Sequence, residues 1–120
     1  MAGNFFFGLS LIFFSSCVHN SDLTNIREIK YEQDIRPILS ANCNYSGCHG
    51  GSDGEFSLAS YQDVISNGDI KAGDARGSKL YKSITRRGLI QQMPPSGSTQ
   101  LIDNDIQLIY IWIEQGAKNN

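Results

Sequence analysis

Two cysteines and a histidine stand close together in the chain, in the order Cys43, Cys48 and His49. Two thiols followed by a histidine, in an exported chain, are typical of covalent haem attachment, in which each thiol adds to a vinyl group and the histidine binds the iron. The usual spacing has two residues between the cysteines, whereas residues 44–47 separate them here. The additional residues must bulge out, and Gly47 is able to adopt the positive φ that a bulge requires. The motif therefore predicts one haem, with His49 as an iron ligand.

Three other kinds of chemistry suit the same side chains. Exported cysteine pairs commonly form disulfides, so Cys43 and Cys48 could close a small loop, although this leaves His49 without a role. A structural zinc site needs four ligands, and the chain offers these three and His19. The third alternative is a nucleophilic cysteine with His49 as its base. Neighbours in sequence rarely supply that geometry, and no third orienting group is evident.

Met93 is the second candidate ligand for iron. It stands in the irregular, polar segment Gln91–Pro95, whereas a methionine that fills a core more naturally lies on a helix. Histidine on one side of haem iron and methionine sulfur on the other raise the reduction potential, which suits electron transfer. Pro94 and Pro95 stiffen the backbone beside the sulfur. Taken alone, Met93 could also be an incidental loop methionine.

The N-terminal region predicts export. Residues 1–21 contain no Asp, Glu, Lys or Arg, and residues 5–14 are almost entirely apolar. A membrane-spanning helix needs about 20 apolar residues, so this shorter run is typical of a secretory signal peptide. Cys17 follows two serines, and this context resembles the lipobox of bacterial lipoproteins. The resemblance implies cleavage after residue 16, a lipid on Cys17, and a periplasmic or outer-membrane-associated protein. The alternative is an ordinary cleaved signal that leaves Cys17 as a spare thiol.

The rest of the chain predicts short helices and no strands. Residues 17–30 read as a polar tether, and residues 31–120 as one domain. The first helix is predicted to begin near Arg36 or Pro37, because proline is tolerated only in the first turn, and to run into Cys43.

Three further helices follow from the sequence pattern. Ser60 is the predicted cap of a helix over residues 61–66, and another helix is predicted over residues 77–87. The last helix has Asp103 as its predicted cap and Gly116 as its terminator, with an apolar stripe between them. The apolar side chains expected around the haem are Ile35, Ile38, Leu39, Leu58, Leu80, Ile84, Ile106, Ile109, Trp112 and Ile113.

The charge balance favours no nucleic-acid partner. The chain has 10 basic and 12 acidic residues, a net charge of -2. Basic residues are nevertheless concentrated between Lys71 and Arg87. This cluster is either a solvated surface, a docking face for an acidic redox partner, or the source of positive charge beside haem propionates.

Together these segments resemble the small cytochrome c domains of bacteria, including those first catalogued in planctomycetes. The resemblance covers residues 31–117 and implies an all-α cytochrome c fold, with N- and C-terminal helices packed around a covalently attached haem. It also implies the roles of four residues: thioether attachment for Cys43 and Cys48, proximal ligation for His49 and distal ligation for Met93. The segments that carry it are Ile35 to Gly50, Gly73–Asp74, Ser78–Tyr81, Met93–Pro95, Ile106 and Trp112–Ala117.

The predicted function is electron transfer outside the cytoplasm by a single covalent haem c, with no enzymatic activity in this chain. The predicted partners are a redox protein and, through the lipid anchor, a membrane. One alternative is a haem-based sensor or peroxidase-like subunit, which needs an open or displaceable ligand position at Met93. Another alternative is a haem-free, disulfide-stapled lipoprotein that binds a partner.

Overall fold

The computed structural model describes residues 22–44, 48–50 and 56–120. Within these ranges the chain forms helices and no strand, as the all-α prediction requires. No helix there is long and apolar enough to cross a membrane. The predicted signal peptide, Cys17 and His19 lie outside the described residues. The elements are a π-helical turn, Tyr31–Ile35, followed by α1, Arg36–Asn42; α2, Tyr61–Asn67; α3, Lys79–Ile84; and α4, Asp103–Glu114.

The first helical segment begins one turn earlier than the sequence predicts. Arg36 donates its backbone N–H to the carbonyl of Tyr31, which gives the wider π-helical turn before α1. Pro37, which has no N–H to donate, then lies in the first turn of α1, where proline is tolerated. The backbone N–H of Cys43 bonds the carbonyl of Leu39 at 2.8 Å. The helix therefore leads directly to Cys43, as predicted.

The predicted capping of α2 is confirmed. The hydroxyl oxygen of Ser60 accepts the backbone N–H of Asp63 at 3.1 Å, and the Asp63 carboxylate accepts the backbone N–H of Ser60 at 3.2 Å. This reciprocal capping box satisfies two of the donors that a helix start leaves unpaired. The helix extends to Asn67, one residue beyond the prediction.

The third helix is shorter than predicted at both ends. At its start, the backbone N–H of Gly77 is taken by the carboxylate of Asp74 at 2.8 Å, so that residue belongs to a turn. At its end, Arg86 has a φ of +56°, which is incompatible with a right-handed helix. Only Lys79–Ile84 remains helical, and this short helix is one wall of the site described below.

The last helix corrects one prediction and confirms another. Asp103 is the first helical residue and not the cap, because the flanking extended residue is Ile102. Its carboxylate lies in the first turn, where negative charge interacts favourably with the helix dipole. Gly116, with a φ of +105°, ends the helix as predicted. The backbone N–H of Ala117 then bonds the carbonyl of Trp112 at 2.8 Å.

Three aromatic rings join the ends of the domain. Tyr31 packs on Trp112 with centroids 5.6 Å apart and meets Tyr61 edge-on at 5.1 Å. The phenol of Tyr61 donates to the carbonyl of Ala117 at 2.8 Å. The N- and C-terminal helical segments therefore pack together, as predicted. Of the ten apolar side chains expected around the haem, all are buried except Ile106, which is half-buried. Only Leu58, Leu80 and Ile84 of these ten line the cleft described below.

Asp34 fixes the chain just before α1 and gives a prediction about acid stability. Its carboxylate accepts both guanidinium nitrogens of Arg27, at 2.7 and 2.8 Å, and the backbone N–H of Lys30 at 2.8 Å. The Arg27 hydrogen bonds, followed by that of Lys30, lower the pKa of Asp34 from 3.8 to about 2. The folded-state pKa is depressed, so the resulting stability is present above about pH 4 and is lost as pH falls toward 2.

We expect Asp34→Asn to reduce the free energy of unfolding at neutral pH by about 1 kcal/mol, since Arg27 is largely exposed. The difference in melting temperature between variant and wild type, measured by circular dichroism, should disappear between pH 4 and pH 2. Glu32→Gln is the matched control, because the Glu32–Arg36 pair is exposed on both sides and should contribute little. A gap that does not change with pH would contradict this role of Asp34.

Candidate functional site

Three of the predicted site residues line one cleft: Cys43, His49 and Met93. The cleft has a cavity volume of about 40 Å³ and is partly open to solvent. Cys48 is half-buried and is not part of its wall. The remaining walls come from the ends of α2 and α3 and from the segment before α2. They are Phe56, Leu58, Asn67, Gly68, Lys79, Leu80, Ser83 and Ile84.

His49 is held in place by the segment that follows it. Its side chain is buried, with 7% exposed, and Nδ1 lies 2.9 Å from the backbone carbonyl of Phe56. A carbonyl only accepts hydrogen bonds, so this contact favours the tautomer with the proton on Nδ1 and leaves the Nε2 lone pair free to bind a metal ion. The Phe56 ring also stacks on the imidazole, with centroids 4.6 Å apart and planes 17° from parallel.

A backbone hydrogen bond closes the segment between the first cysteine and the histidine. The N–H of His49 donates to the carbonyl of Cys43 at 3.1 Å, and the N–H of Leu58 donates to the carbonyl of His49 at 3.0 Å. The first bond holds Cys43 and His49, the two ends of the motif, close together. The predicted bulge at Gly47 lies outside the described residues.

The thiols and their surroundings bear on the alternatives left open by the sequence. Cys43 and Cys48 are not joined by a disulfide. Burial, with a smaller contribution from Cys48, raises the pKa of Cys43 to about 11. The Cys43 thiol is therefore protonated at neutral pH, which makes it a poor nucleophile. In the part of the chain that the structure describes, no three His, Cys, Asp or Glu side chains are grouped to hold a metal ion such as zinc.

Met93 reaches the cleft from the irregular segment after α3. Its backbone N–H donates to the carbonyl of Ser83 at 3.1 Å, which ties this segment to the last turn of that helix. Ser83 is itself buried, and its hydroxyl donates to the carbonyl of Lys79 at 3.0 Å. The methionine is therefore fixed to the wall of the cleft by its own backbone.

Residues 46–97 match the family model described as planctomycete cytochrome C. The match supports a planctomycete-type cytochrome c domain in this part of the chain. The matched region contains Cys48, His49 and Met93, but it begins after Cys43 and ends before α4. Comparisons with curated proteins and with solved structures gave no match. The helical architecture of the described residues is consistent with an all-α, cytochrome c-like fold, and the family match suggests haem-based electron transfer at a coarse level.

The chemistry of the cleft suits the haem that a cytochrome c domain implies. The cleft offers an imidazole with a free Nε2, from His49, and a thioether sulfur, from Met93. These are the axial ligands of haem iron in electron carriers. The thiol of Cys43 lines the same cleft, and that of Cys48 stands next to His49 in the chain. Leu58, Leu80 and Ile84 supply apolar walls for a flat, largely apolar group.

One member of the basic cluster lies at the cleft. Lys79 is part of the wall, and its Nζ lies 5.6 Å from the centroid of the Phe56 ring, a cation–π distance. Arg76 instead lines a separate, open surface groove with Tyr81 and Tyr110. The basic cluster is therefore spread over more than one face, and Lys79 is its link to the site.

The sequence did not reveal four residues that line this site: Phe56, Asn67, Gly68 and Ser83. Phe56 had one signal, because it is the only phenylalanine outside residues 5–14. Gly68 had no signal, and a Cβ at that position would lie 2.5 Å from the backbone carbonyl oxygen of Val64. Asn67 donates its side-chain amide to the carbonyl of Ser57 at 2.7 Å, which holds the segment before α2 against the end of that helix.

Proposed function

We propose that this cytochrome c domain holds one covalent haem in the cleft and transfers single electrons outside the cytoplasm. The observation that carries the proposal is that Met93, distant in sequence from Cys43 and His49, lines the same cleft. When bound, haem supplies an iron that cycles between the ferrous and ferric states. The protein supplies its attachment, its ligands and an apolar environment.

The cysteines and the two ligands have distinct roles in this proposal. The thiol of Cys43 and that of Cys48 each add across a vinyl group. In each addition the S–H bond breaks, a C–S bond forms, and the hydrogen goes to the other vinyl carbon, so no oxidant is needed. Nε2 of His49 and the sulfur of Met93 bind the iron. The hydrogen bond from His49 to the carbonyl of Phe56 orients the ring and makes Nε2 a stronger electron donor.

The setting of Met93 favours an electron carrier over a sensor or a peroxidase-like subunit. Those functions need an open or readily vacated iron position, at which a gas or peroxide binds. Met93 is tied to α3 through the carbonyl of Ser83 and lines the cleft with its side chain. A methionine whose backbone is fixed beside the cleft supports iron ligation by both His49 and Met93 in most molecules.

The location and partners follow the same proposal. A lipid on Cys17 would hold the domain at a membrane on the periplasmic side, and membrane fractionation tests this location. Lys79 places a positive charge beside the cleft, and Arg86, Arg87 and Leu89 are exposed in the chain before Met93. A redox partner with an acidic docking face suits these charges. Association rates that do not change with salt would contradict this choice of partner.

The first test is the colour of the protein made with a c-type maturation system. We expect sharp visible bands on reduction and retention of the colour in the protein after acid–acetone extraction, because thioether bonds survive that treatment. The ferrous protein should bind carbon monoxide only slowly, since Met93 must leave first. Rapid binding would favour the sensor alternative, and a colourless protein would contradict the haem proposal.

A further inference from the structure

One side chain, Gln100, holds the segment that carries Met93. Its Nε2 donates to the backbone carbonyl of Pro94 at 3.2 Å, of Pro95 at 3.2 Å and of Ser98 at 2.9 Å. An amide NH₂ has two hydrogens, so at least one of them is shared between two of these acceptors. The three bonds close the segment around a single amide group.

The same side chain also reaches the residue before Met93. Nε2 of Gln92 donates to Oε1 of Gln100 at 2.9 Å. Gln100 therefore contacts both chain neighbours of Met93, Gln92 on one side and Pro94 on the other. The next residue, Leu101, is buried, which anchors Gln100 to the core immediately before α4.

The composition of the segment explains why it needs such a side chain. Pro94 and Pro95 have no backbone N–H, so they cannot donate to the local hydrogen bonds that would order this loop. Pro94 is buried, and a buried carbonyl without a donor is costly. The amide of Gln100 supplies this donor to the carbonyl of Pro94, whereas the carbonyl of Pro95 also accepts the backbone N–H of Ser98 at 3.0 Å.

We propose that Gln100 is a positioning residue for Met93, which sets how often the sulfur leaves the iron. This inference rests on the proposed function, in which Met93 is an iron ligand. External imidazole binds ferric iron only when the methionine has left it. Its apparent affinity is therefore the intrinsic affinity multiplied by the fraction of molecules in the open state. Loss of the Gln100 hydrogen bonds should increase that fraction.

The experiment is a titration of the ferric holoprotein with imidazole. Binding is measured as the loss of the weak red absorption band that requires sulfur ligation. Gln100→Ala should bind imidazole roughly ten-fold more tightly than wild type, which corresponds to about 1.4 kcal/mol, as expected for the loss of one or two hydrogen bonds. Gln100→Glu keeps the side-chain length but has no N–H for the three carbonyls. Gln100→Glu should also bind imidazole more tightly than wild type. It provides the test if the alanine variant fails to acquire haem.

Gln115→Ala is the matched control. Gln115 is also a glutamine bonded to the backbone, through the carbonyl of Arg27 at 3.0 Å and the N–H of Ile29 at 2.8 Å, but it is not part of the cleft. This variant should lower the melting temperature and leave the imidazole affinity unchanged. If the wild-type protein shows the red band and the Gln100 variants bind imidazole with unchanged affinity, the inference about Gln100 is wrong while the ligation by Met93 stands. A wild-type protein without the band would overturn the methionine ligation on which it rests.

Discussion

Replacing Met93 by alanine is expected to abolish the red absorption band of the ferric protein and to lower its reduction potential. Methionine sulfur favours ferrous iron, whereas water, or no ligand, in its place favours the ferric state. Axial ligands tune haem potentials over about 0.8 V, so we expect a decrease on the order of 0.1 V or more. Spectroelectrochemistry of the two proteins measures both changes. The ferrous variant should also bind carbon monoxide rapidly.

The chain offers a control within the same segment. Leu89 is fully exposed and does not line the cleft, so Leu89→Ala should keep the band and the potential of the wild type. The only other methionine is Met1, within the predicted signal peptide, so no second methionine sulfur is expected to replace Met93. Persistence of the red band in Met93→Ala would show that Met93 is not the ligand.

The grouping of Cys43, His49 and Met93 at one cleft could be predicted from the sequence, because these side chains have few other roles. Cys43, Cys48 and His49 form a local motif, and Met93 stands alone in a polar loop. The partner of His49 could not be predicted in the same way, because it is the backbone carbonyl of Phe56. Every residue type has a backbone carbonyl, so only the folded chain shows which carbonyl accepts a hydrogen bond from the imidazole N–H.

The positions at which the helices begin and end also have either local or distant causes. The capping box at Ser60 and the terminator Gly116 were predictable, since both act within one helical turn. The early start at Tyr31 was not, because Pro37 marks the first turn of α1 and does not prevent a π-helical turn before it. Tyr31 is buried against Trp112, a contact across the domain that no local pattern contains.

Gln100 is the clearest case of a residue whose sequence context gives no signal. It is a polar residue at the end of a polar segment, and such residues are usually solvated. Its role arises because Pro94 and Pro95, a few positions earlier, lack donors and turn their carbonyls toward it. The prolines that drew attention to Met93 in the sequence therefore also present carbonyls to the amide of Gln100.

Replacing the two cysteines separately is expected to have unequal effects. Cys43 is 8% exposed and lines the cleft, whereas Cys48 is half-buried outside it. Cys43→Ser places a hydroxyl in an apolar wall, which costs about 1–3 kcal/mol if it finds no partner. The hydroxyl of Cys48→Ser can be hydrated. We expect a lower melting temperature and a lower yield of holoprotein for Cys43→Ser.

The amount of haem that remains after acid–acetone extraction distinguishes thioether attachment of haem from a disulfide between the two cysteines. Each single variant keeps one thiol, so the haem should remain bound after acid–acetone extraction, and its pyridine haemochrome band should lie between those of doubly and unattached haem. The double variant should release all of its haem. If the two cysteines instead form a disulfide, either substitution removes the same cross-link. The two single variants should then have equal melting temperatures and hold no haem. The inequality has a structural cause, because α1 and the hydrogen bond from the N–H of His49 fix Cys43 at the cleft, whereas Cys48 lies outside its wall.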